Sequence, residues 1–174
     1  LPHASLDRAL GLIREVADFP EPGVLFRDLS PLLADADAFR AVVDALGETL
    51  APDVDTVLAL EARGFLFGAA LAATRGLGVV PVRKPGKLPA VADRVTFDLE
   101  YGTATFELPA DTLRPGARVA VVDDVLATGG TLAAAVGLAE RAGATVTGAL
   151  VVVEITALDG RARVPLPVHA VHAV

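Results

Sequence analysis

The chain has 174 residues, 53% of them apolar and 21% charged, with a formal net charge of −7. That composition describes one folded domain with a sizeable core and excludes a disordered segment. The acidic balance, without a Lys/Arg-rich run, excludes extended nucleic acid as a partner but leaves small phosphates open, and the absence of cysteine excludes disulfides, thiol nucleophiles and Cys-ligated zinc.

Apolar runs are broken by Gly, Asp or Arg short of a membrane span, and no Lys/Arg-flanked apolar leader opens the chain. A soluble cytoplasmic protein with no membrane partner is expected, with an N-terminus that starts at Leu1 and is read as trimmed. Ser5 ahead of Leu6, Leu10, Ile13 and Val16 predicts a helix with Ser5 as its N-cap. "FPEPGVLF" (19–26), with two prolines and a glycine, is expected to be irregular. "DADAFRAVVDALGETL" predicts a second amphipathic helix and "VDTVLAL" (54–60) a buried strand. "GFLFGAALAATRG" (64–76) is a helix of small residues, followed by a strand at "GVVPVRK" (78–84). "LPAVADRVTFDLEYGTATFELP" (88–109) alternates like a hairpin around "EYGT". "RVAVVDD" (118–124) is a strand, "GGTLAAAVGLAERAG" (129–143) its helix, and "TVTGALVVVE" (145–154) another strand. His169 and His172 sit in "PVHAVHAV", which reads as an apolar strand rather than a metal pair, and His3 is isolated near the start.

Apolar strands alternating with helices of this length imply βαβ units, hence an α/β fold with a parallel sheet flanked by helices. Residues 1–174 are expected to form a single domain, with no repeat and no dividing linker. Ligands in such sheets bind beyond the carboxyl ends of the strands. The strand ends here read "EARG", "VRKPGK" and "DDVLATGG", so polar chemistry collects at one edge.

The stretch "VVDDVLATGGT" (121–131) is the most informative. A strand-to-helix turn offers unpaired N–H groups and a partial positive charge to an anion. In the loop 127–131, which includes Ala127, Gly129 and Gly130 allow close backbone approach and Thr128 and Thr131 add hydroxyl donors, a cradle for one phosphate. Asp123 and Asp124 are adjacent acceptors suited to two neighbouring hydroxyl groups. A phosphate and a vicinal diol together describe a ribose 5-phosphate. Neither a P-loop nor a dinucleotide fingerprint is present.

This stretch resembles the phosphoribosyl-pyrophosphate signature of the type I phosphoribosyltransferases. "DFPEPGVLFRDLSPLL" (18–33), "LEARGFLFG" (60–68), "RKPGKLPA" (83–90), "DLEYGT" (98–103) and "VVVEITALDGR" (151–161) are similar, in order and spacing, to the adenine-specific members. The resemblance implies that family's fold, with a small hood formed by residues 1–33 and a flexible catalytic hairpin at 88–109. It implies transfer of ribose 5-phosphate from phosphoribosyl pyrophosphate to adenine, giving AMP and pyrophosphate. Magnesium is implied as cofactor, held through the substrate, and a homodimer with Arg83 near the subunit boundary.

On that reading Arg63, Arg83, Lys84 and Lys87 bind pyrophosphate; the two lysines are the only ones in the chain. Arg63 is a candidate catalytic clamp, with an ion pair to Glu61 as its alternative role. Glu100 is expected to act as general acid/base toward a purine nitrogen, with Tyr101 closing the loop over the site. Phe26 offers a stacking face for adenine, Leu25 an apolar contact, and Arg27 borders the purine. The family holds the peptide before the equivalent of Arg63 in the cis form, so Ala62–Arg63 is expected to be cis; the family's usual Ser is Ala62 here. No lysine follows Lys87 to serve a 6-oxopurine, Glu154 and Ile155 standing in that region, although Arg161 or Arg163 could substitute. The alternatives are a xanthine or orotate phosphoribosyltransferase and a non-catalytic regulator that senses phosphoribosyl pyrophosphate.

Overall fold

The computed structural model describes residues 2–99 and 102–174. Its contacts divide the chain into two units, Leu1–Ala45 and Leu46–Val174.

The first unit contains α1 (Pro2–Leu10), β1 (Arg14–Ala17), β2 (Leu25–Asp28) and α2 (Ser30–Ala34), and α3 (Ala36–Glu48) runs from it into the second. The predicted first helix is thus corrected at both ends: Ser5 lies inside α1 rather than at its cap, and Val16 lies in a strand. Pairing with β2 overrides the helical spacing beyond Gly11. Arg14 faces Asp28 and Glu15 faces Arg27 in an antiparallel ribbon, and each facing pair is an ion pair at 2.6 Å. The segment between the strands turns back through a hydrogen bond from the Gly23 N–H to Asp18 Oδ1, 2.8 Å. Asp35 accepts the Ala38 N–H at 2.9 Å and so caps α3, whose Ala38, Val42, Val43 and Leu46 form the buried face.

The second unit holds β3 (Thr56–Leu60), α4 (Gly64–Arg75), β4 (Gly78–Val82), β5 (Val91–Asp98), β6 (Thr103–Pro109), β7 (Arg118–Leu126), α5 (Gly130–Arg141), β8 (Thr145–Glu154), two 3-10 turns at Thr156–Leu158 and Gly160–Arg163, and β9 (Val168–Ala173). Five of these strands form one sheet in the order β4-β3-β7-β8-β9, every neighbouring pair parallel. Pro81 lacks a ladder N–H, and the edge position of β4 accommodates it. The sheet is apolar along its centre, where Val57, Leu58, Leu60, Val119, Val121, Val151 and Val153 are fully buried. Each such side chain contributes about 1.5–3 kcal/mol by leaving water. Helix α4 lies close to β3, since a methyl group at Gly68 would stand 2.6 Å from the Ala59 Cβ.

β5 and β6 form the expected hairpin, with the Phe97 and Phe106 rings tilted at 52° and their centroids 5.1 Å apart and the Leu99 N–H bonded to the Gly102 carbonyl at 3.0 Å. Arg141 at the end of α5 ties the hairpin down through Asp93 (2.6 Å) and the Arg94 carbonyl (3.2 Å). β3 is followed in the chain by β4 on one side and bordered by β7 on the other. That reversal leaves a crevice at the carboxyl ends of β3 and β7, where ligands bind in open parallel sheets.

Candidate active site

Both strands at this switch point end in the residues singled out from sequence. Asp123 and Asp124 lie in the last turn-side part of β7 and are 8% and 7% exposed. Two carboxylates so placed repel each other, and the structure meets part of that cost. The Asp124 N–H donates to Asp123 Oδ1 at 2.8 Å, and Arg63 Nε donates to Asp124 Oδ2. Burial, and then the charge of Asp124, still pushes the Asp123 carboxyl well above the usual carboxylate range. Donors from a bound diol would satisfy what the protein leaves unmet.

The partner of Arg63 corrects one reading: it pairs with Asp124 across the crevice rather than with Glu61. Glu61 instead accepts Arg83 Nε at 3.1 Å and the Lys84 N–H at 2.7 Å. Burial pushes Glu61 up, but the Lys84 N–H, Arg83 and Lys87 outweigh it and hold the carboxyl below its ordinary value. Glu61 therefore anchors the "RKPGK" loop against the end of β3, a role that sequence gives no direct signal for. Arg83 also lies over the Phe65 ring at 5.6 Å, while Lys84 and Lys87 are exposed.

The expected cis bond at Ala62–Arg63 is one residue early: the cis peptide is Glu61–Ala62. The physical reason lies in α4, whose turn already begins at Arg63 in helical conformation. The Phe65 N–H bonds to the Ala62 carbonyl at 3.2 Å and the Leu66 N–H to that of Arg63 at 3.1 Å, so the Ala62–Arg63 unit belongs to that turn. A second cis peptide is Phe19–Pro20.

Beyond the carboxylates lies the loop 127–131, which the sequence marks as a phosphate cradle. A cavity of about 310 Å³ is lined by Leu99 and by 125–129, Thr131 and Leu132. Gly129 caps α5 at φ +85°, a left-handed conformation that side chains disfavour. A methyl group there would also meet the Gly160 carbonyl oxygen at 2.1 Å, and one on Gly160 would meet the Ala127 oxygen at 2.1 Å. The "LDGR" turn is thus in backbone contact with the cradle, a support that sequence reading missed although the glycine in that motif is its trace. Gly64 makes a similar approach on the other side, where a methyl group would stand 2.9 Å from the Val122 oxygen and 3.0 Å from Asp123 Oδ1.

Arg161 is engaged within the protein. Its Nε donates to Glu154 Oε1 at 3.0 Å, its Nη2 pairs with the other carboxylate oxygen, and its Nη1 donates to the Val168 carbonyl. Glu100 and Tyr101 lie outside the described residues. In the first unit Leu25, Phe26 and Arg27 follow one another on β2. Leu25 is 44% exposed, Phe26 is half-buried with Phe19 edge-on at 5.0 Å, and Arg27 stands 2.6 Å from Glu15. Its Nε, buried, has no hydrogen-bond partner among the described residues.

A parallel α/β sheet carrying paired carboxylates and a phosphate cradle at its switch point defines a phosphoribosyl-binding protein. The phosphoribosyl transferase domain model matches residues 34–169, and the chain belongs to that family. It is 62% identical over 168 residues to the adenine phosphoribosyltransferase of Saccharopolyspora erythraea, covering 96% of this chain and 91% of the relative. Among solved structures it is similar to adenine phosphoribosyltransferase from Rhodothermus marinus, with a TM-score of 0.92, 43% identity and 99% of each chain covered. It is also similar to the Saccharomyces cerevisiae enzyme solved with adenine and an imino-altritol bisphosphate, with a TM-score of 0.90, 35% identity and coverage of 97% and 98%.

Proposed function

We propose that this chain is an adenine phosphoribosyltransferase, transferring ribose 5-phosphate from phosphoribosyl pyrophosphate to adenine and releasing AMP and pyrophosphate. The observation that carries the reading is the continuous run of β7 and α5, which sets two buried acceptors, Asp123 and Asp124, directly ahead of a phosphate cradle. The ribose hydroxyls bind the carboxylates and the 5-phosphate binds the N–H groups and hydroxyls of Thr128–Thr131. Arg63, Arg83, Lys84 and Lys87 take the pyrophosphate, guanidinium groups giving the paired donors that phosphate oxygens fit.

In the reaction a purine ring nitrogen bonds to the anomeric carbon as the carbon–oxygen bond to pyrophosphate breaks. Positive charge develops on the ribose, and Asp123 and Asp124 stabilise it from beside the ring. Glu100 holds the proton exchanged with the purine, Tyr101 helps close the hairpin over the site, and Arg63 links the leaving group to Asp124. Leu25, Phe26 and Arg27 bind adenine. Engagement of Arg161 by Glu154 removes one donor that could have served a 6-oxopurine, which supports adenine. Magnesium, when bound, neutralises charge on the departing pyrophosphate. Among the described residues there is no cluster of three or more His, Asp or Glu, and the oxygen-donor character of Asp123 and Asp124 beside the diol fits a cation held mainly through the substrate.

A homodimer belongs to the same proposal, supported by Leu66 on α4 and Val79 on the edge strand β4, large apolar side chains 49% and 43% exposed. A cytoplasmic location fits phosphorylated substrates that do not cross bilayers; no described helix is long and apolar enough to span a membrane. The test is a spectrophotometric assay with phosphoribosyl pyrophosphate, magnesium and, in parallel, adenine, hypoxanthine, guanine, xanthine and orotate. AMP formed with adenine alone is expected. Product with another base, or substrate binding without product, would refute the assignment.

A further inference from the structure

The cradle at Thr128–Thr131 is short of positive charge. A phosphate monoester carries about −1.5 to −2 at pH 7, whereas a helix terminus supplies roughly +0.5. The cavity lining of Leu99 and residues from 125 to 132 carries no ionisable side chain, and the nearest charged groups along the chain are the carboxylates Asp123 and Asp124. Yet a cation stands beside it. The Arg163 Cβ is 3.2 Å from where a methyl group on Gly129 would lie, and its Nη1 is 3.9 Å from one on Gly130. The side chain therefore runs along the cradle from Gly129 to Gly130.

Arg161 and Arg163 share one 3-10 turn but not one role. Arg161 is held by both oxygens of Glu154 and by the Val168 carbonyl. Arg163 makes no hydrogen bond or ion pair among the described residues. The turn itself is fixed in register with the cradle by the contact of Gly160 with Gly129 and Ala127. An exposed, unengaged guanidinium would ordinarily wander, but this one is delivered to the phosphate loop by a backbone that cannot shift without displacing the loop.

Resting on the transferase reading above, we propose that Arg163 binds the 5-phosphate of the phosphoribosyl substrate and of AMP, supplying the cation that the backbone cradle lacks. A guanidinium suits the task because it gives two parallel donors to phosphate oxygens.

The test is calorimetric binding of ribose 5-phosphate to the full chain and to Arg163→Gln and Arg163→Lys variants, alongside steady-state kinetics. Arg163→Gln should weaken ribose 5-phosphate binding and raise KM for phosphoribosyl pyrophosphate by roughly 10-fold or more, the usual worth of a charge-assisted hydrogen bond. KM for adenine should stay within about 2-fold, and Arg163→Lys should recover much of the loss because the charge is kept. Ribose 5-phosphate binding by Arg163→Gln within about 2-fold of the parent would overturn the proposal, since a phosphate contact of this kind is worth more. Calorimetry needs no turnover, so the two readings separate. A parent chain that binds ribose 5-phosphate but makes no AMP refutes the transferase reading and leaves Arg163 to be judged on binding. A parent chain that does not bind it at all overturns both.

Discussion

Gly160→Ala tests whether the "LDGR" turn sets the position of the phosphate cradle. Gly160 is buried and its φ lies outside the left-handed region, so alanine meets no backbone penalty there and the substitution is purely steric. The added methyl would meet the Ala127 oxygen at 2.1 Å, the Leu126 Cδ1 at 2.9 Å and the Ala127 carbonyl carbon at 3.0 Å. Relief to 3.0 Å requires the oxygen contact to open by 0.9 Å, the difference between 3.0 and 2.1. Two of the three atoms are backbone, so a side-chain rotation cannot absorb the change. Overpacking of this kind costs about 1–3 kcal/mol, a fall in Tm of roughly 2–4 °C per kcal/mol for a domain of this size. A misplacement near 1 Å costs up to about 10²-fold in rate, so KM for phosphoribosyl pyrophosphate should rise at least ~10-fold while KM for adenine changes little. Initial rates of AMP formation over a matrix of both substrates, with a thermal melt of the same protein, provide the readout. A lowered Tm with an unchanged KM for phosphoribosyl pyrophosphate would refute the reasoning, because the turn would then have yielded without moving the cradle.

Asp123→Asn should raise Tm at neutral pH while lowering kcat/KM by roughly 10- to 100-fold through loss of a charged acceptor for the ribose. The Asp123 carboxyl is raised by burial and by Asp124, so the folded state binds more protons than the unfolded one. The parent therefore loses stability as pH rises from the unfolded carboxylate value through the folded one, and the gain from asparagine should vanish in acid. Arg63→Gln leaves Asp124 without its guanidinium donor, and kcat/KM for phosphoribosyl pyrophosphate is expected to fall about 100-fold, measured with adenine saturating. Asp28 is lowered to about 2 by the Ser30 hydroxyl and N–H and then by Arg14. Its contribution is present above the unfolded value and lost as pH falls toward 2, so thermal melts of Asp28→Asn between pH 5 and 2 should show a shallower acid decline than the parent, pH values bracketing the ordinary carboxylate range of roughly 4. On the homodimer proposed above, Leu66→Glu should bring the molar mass in light scattering to that of one chain, and a mass unchanged from the parent's two chains would refute α4 as the contact.

The parallel sheet was legible because its strands are buried on both faces and so read as continuous apolar runs, as "VDTVLAL" and "TVTGALVVVE" do. The hairpin was legible for the opposite reason: β5 alternates half-buried and exposed from Val91 to Asp98. The first helix was overrun because Ile13 and Val16 continue the helical spacing of Leu6 and Leu10, and spacing carries no information about a strand partner that lies beyond the next turn. Only the pairing of Arg14–Ala17 with Leu25–Asp28 decides that segment. The short helix at Ser30–Ala34 and the two 3-10 turns left no periodic signal, being shorter than one or two helical repeats.

The site shows the same division between local and distant information. Asp123, Asp124 and Thr128–Thr131 share one short stretch of chain, so one strand-to-helix junction displays the proposed ribose and phosphate sites together. Charge partners are not contiguous: Arg63 is 61 positions from Asp124, and the protein partner that sequence proximity offered as the alternative was Glu61. The sheet order resolves the choice, since β3 lies against β7 and brings Arg63 to the carboxylates. Glu61 is then free to take Arg83 and the Lys84 N–H. The exchange has a chemical consequence. On the proposed reading, with Arg63 on Asp124, one guanidinium of the site is already committed to the carboxylate pair before substrate arrives, and pyrophosphate must compete for it or share it. On the same reading, binding of the diol would relieve that competition by giving Asp124 new donors, which would couple occupation of the proposed ribose site to release of Arg63 toward pyrophosphate.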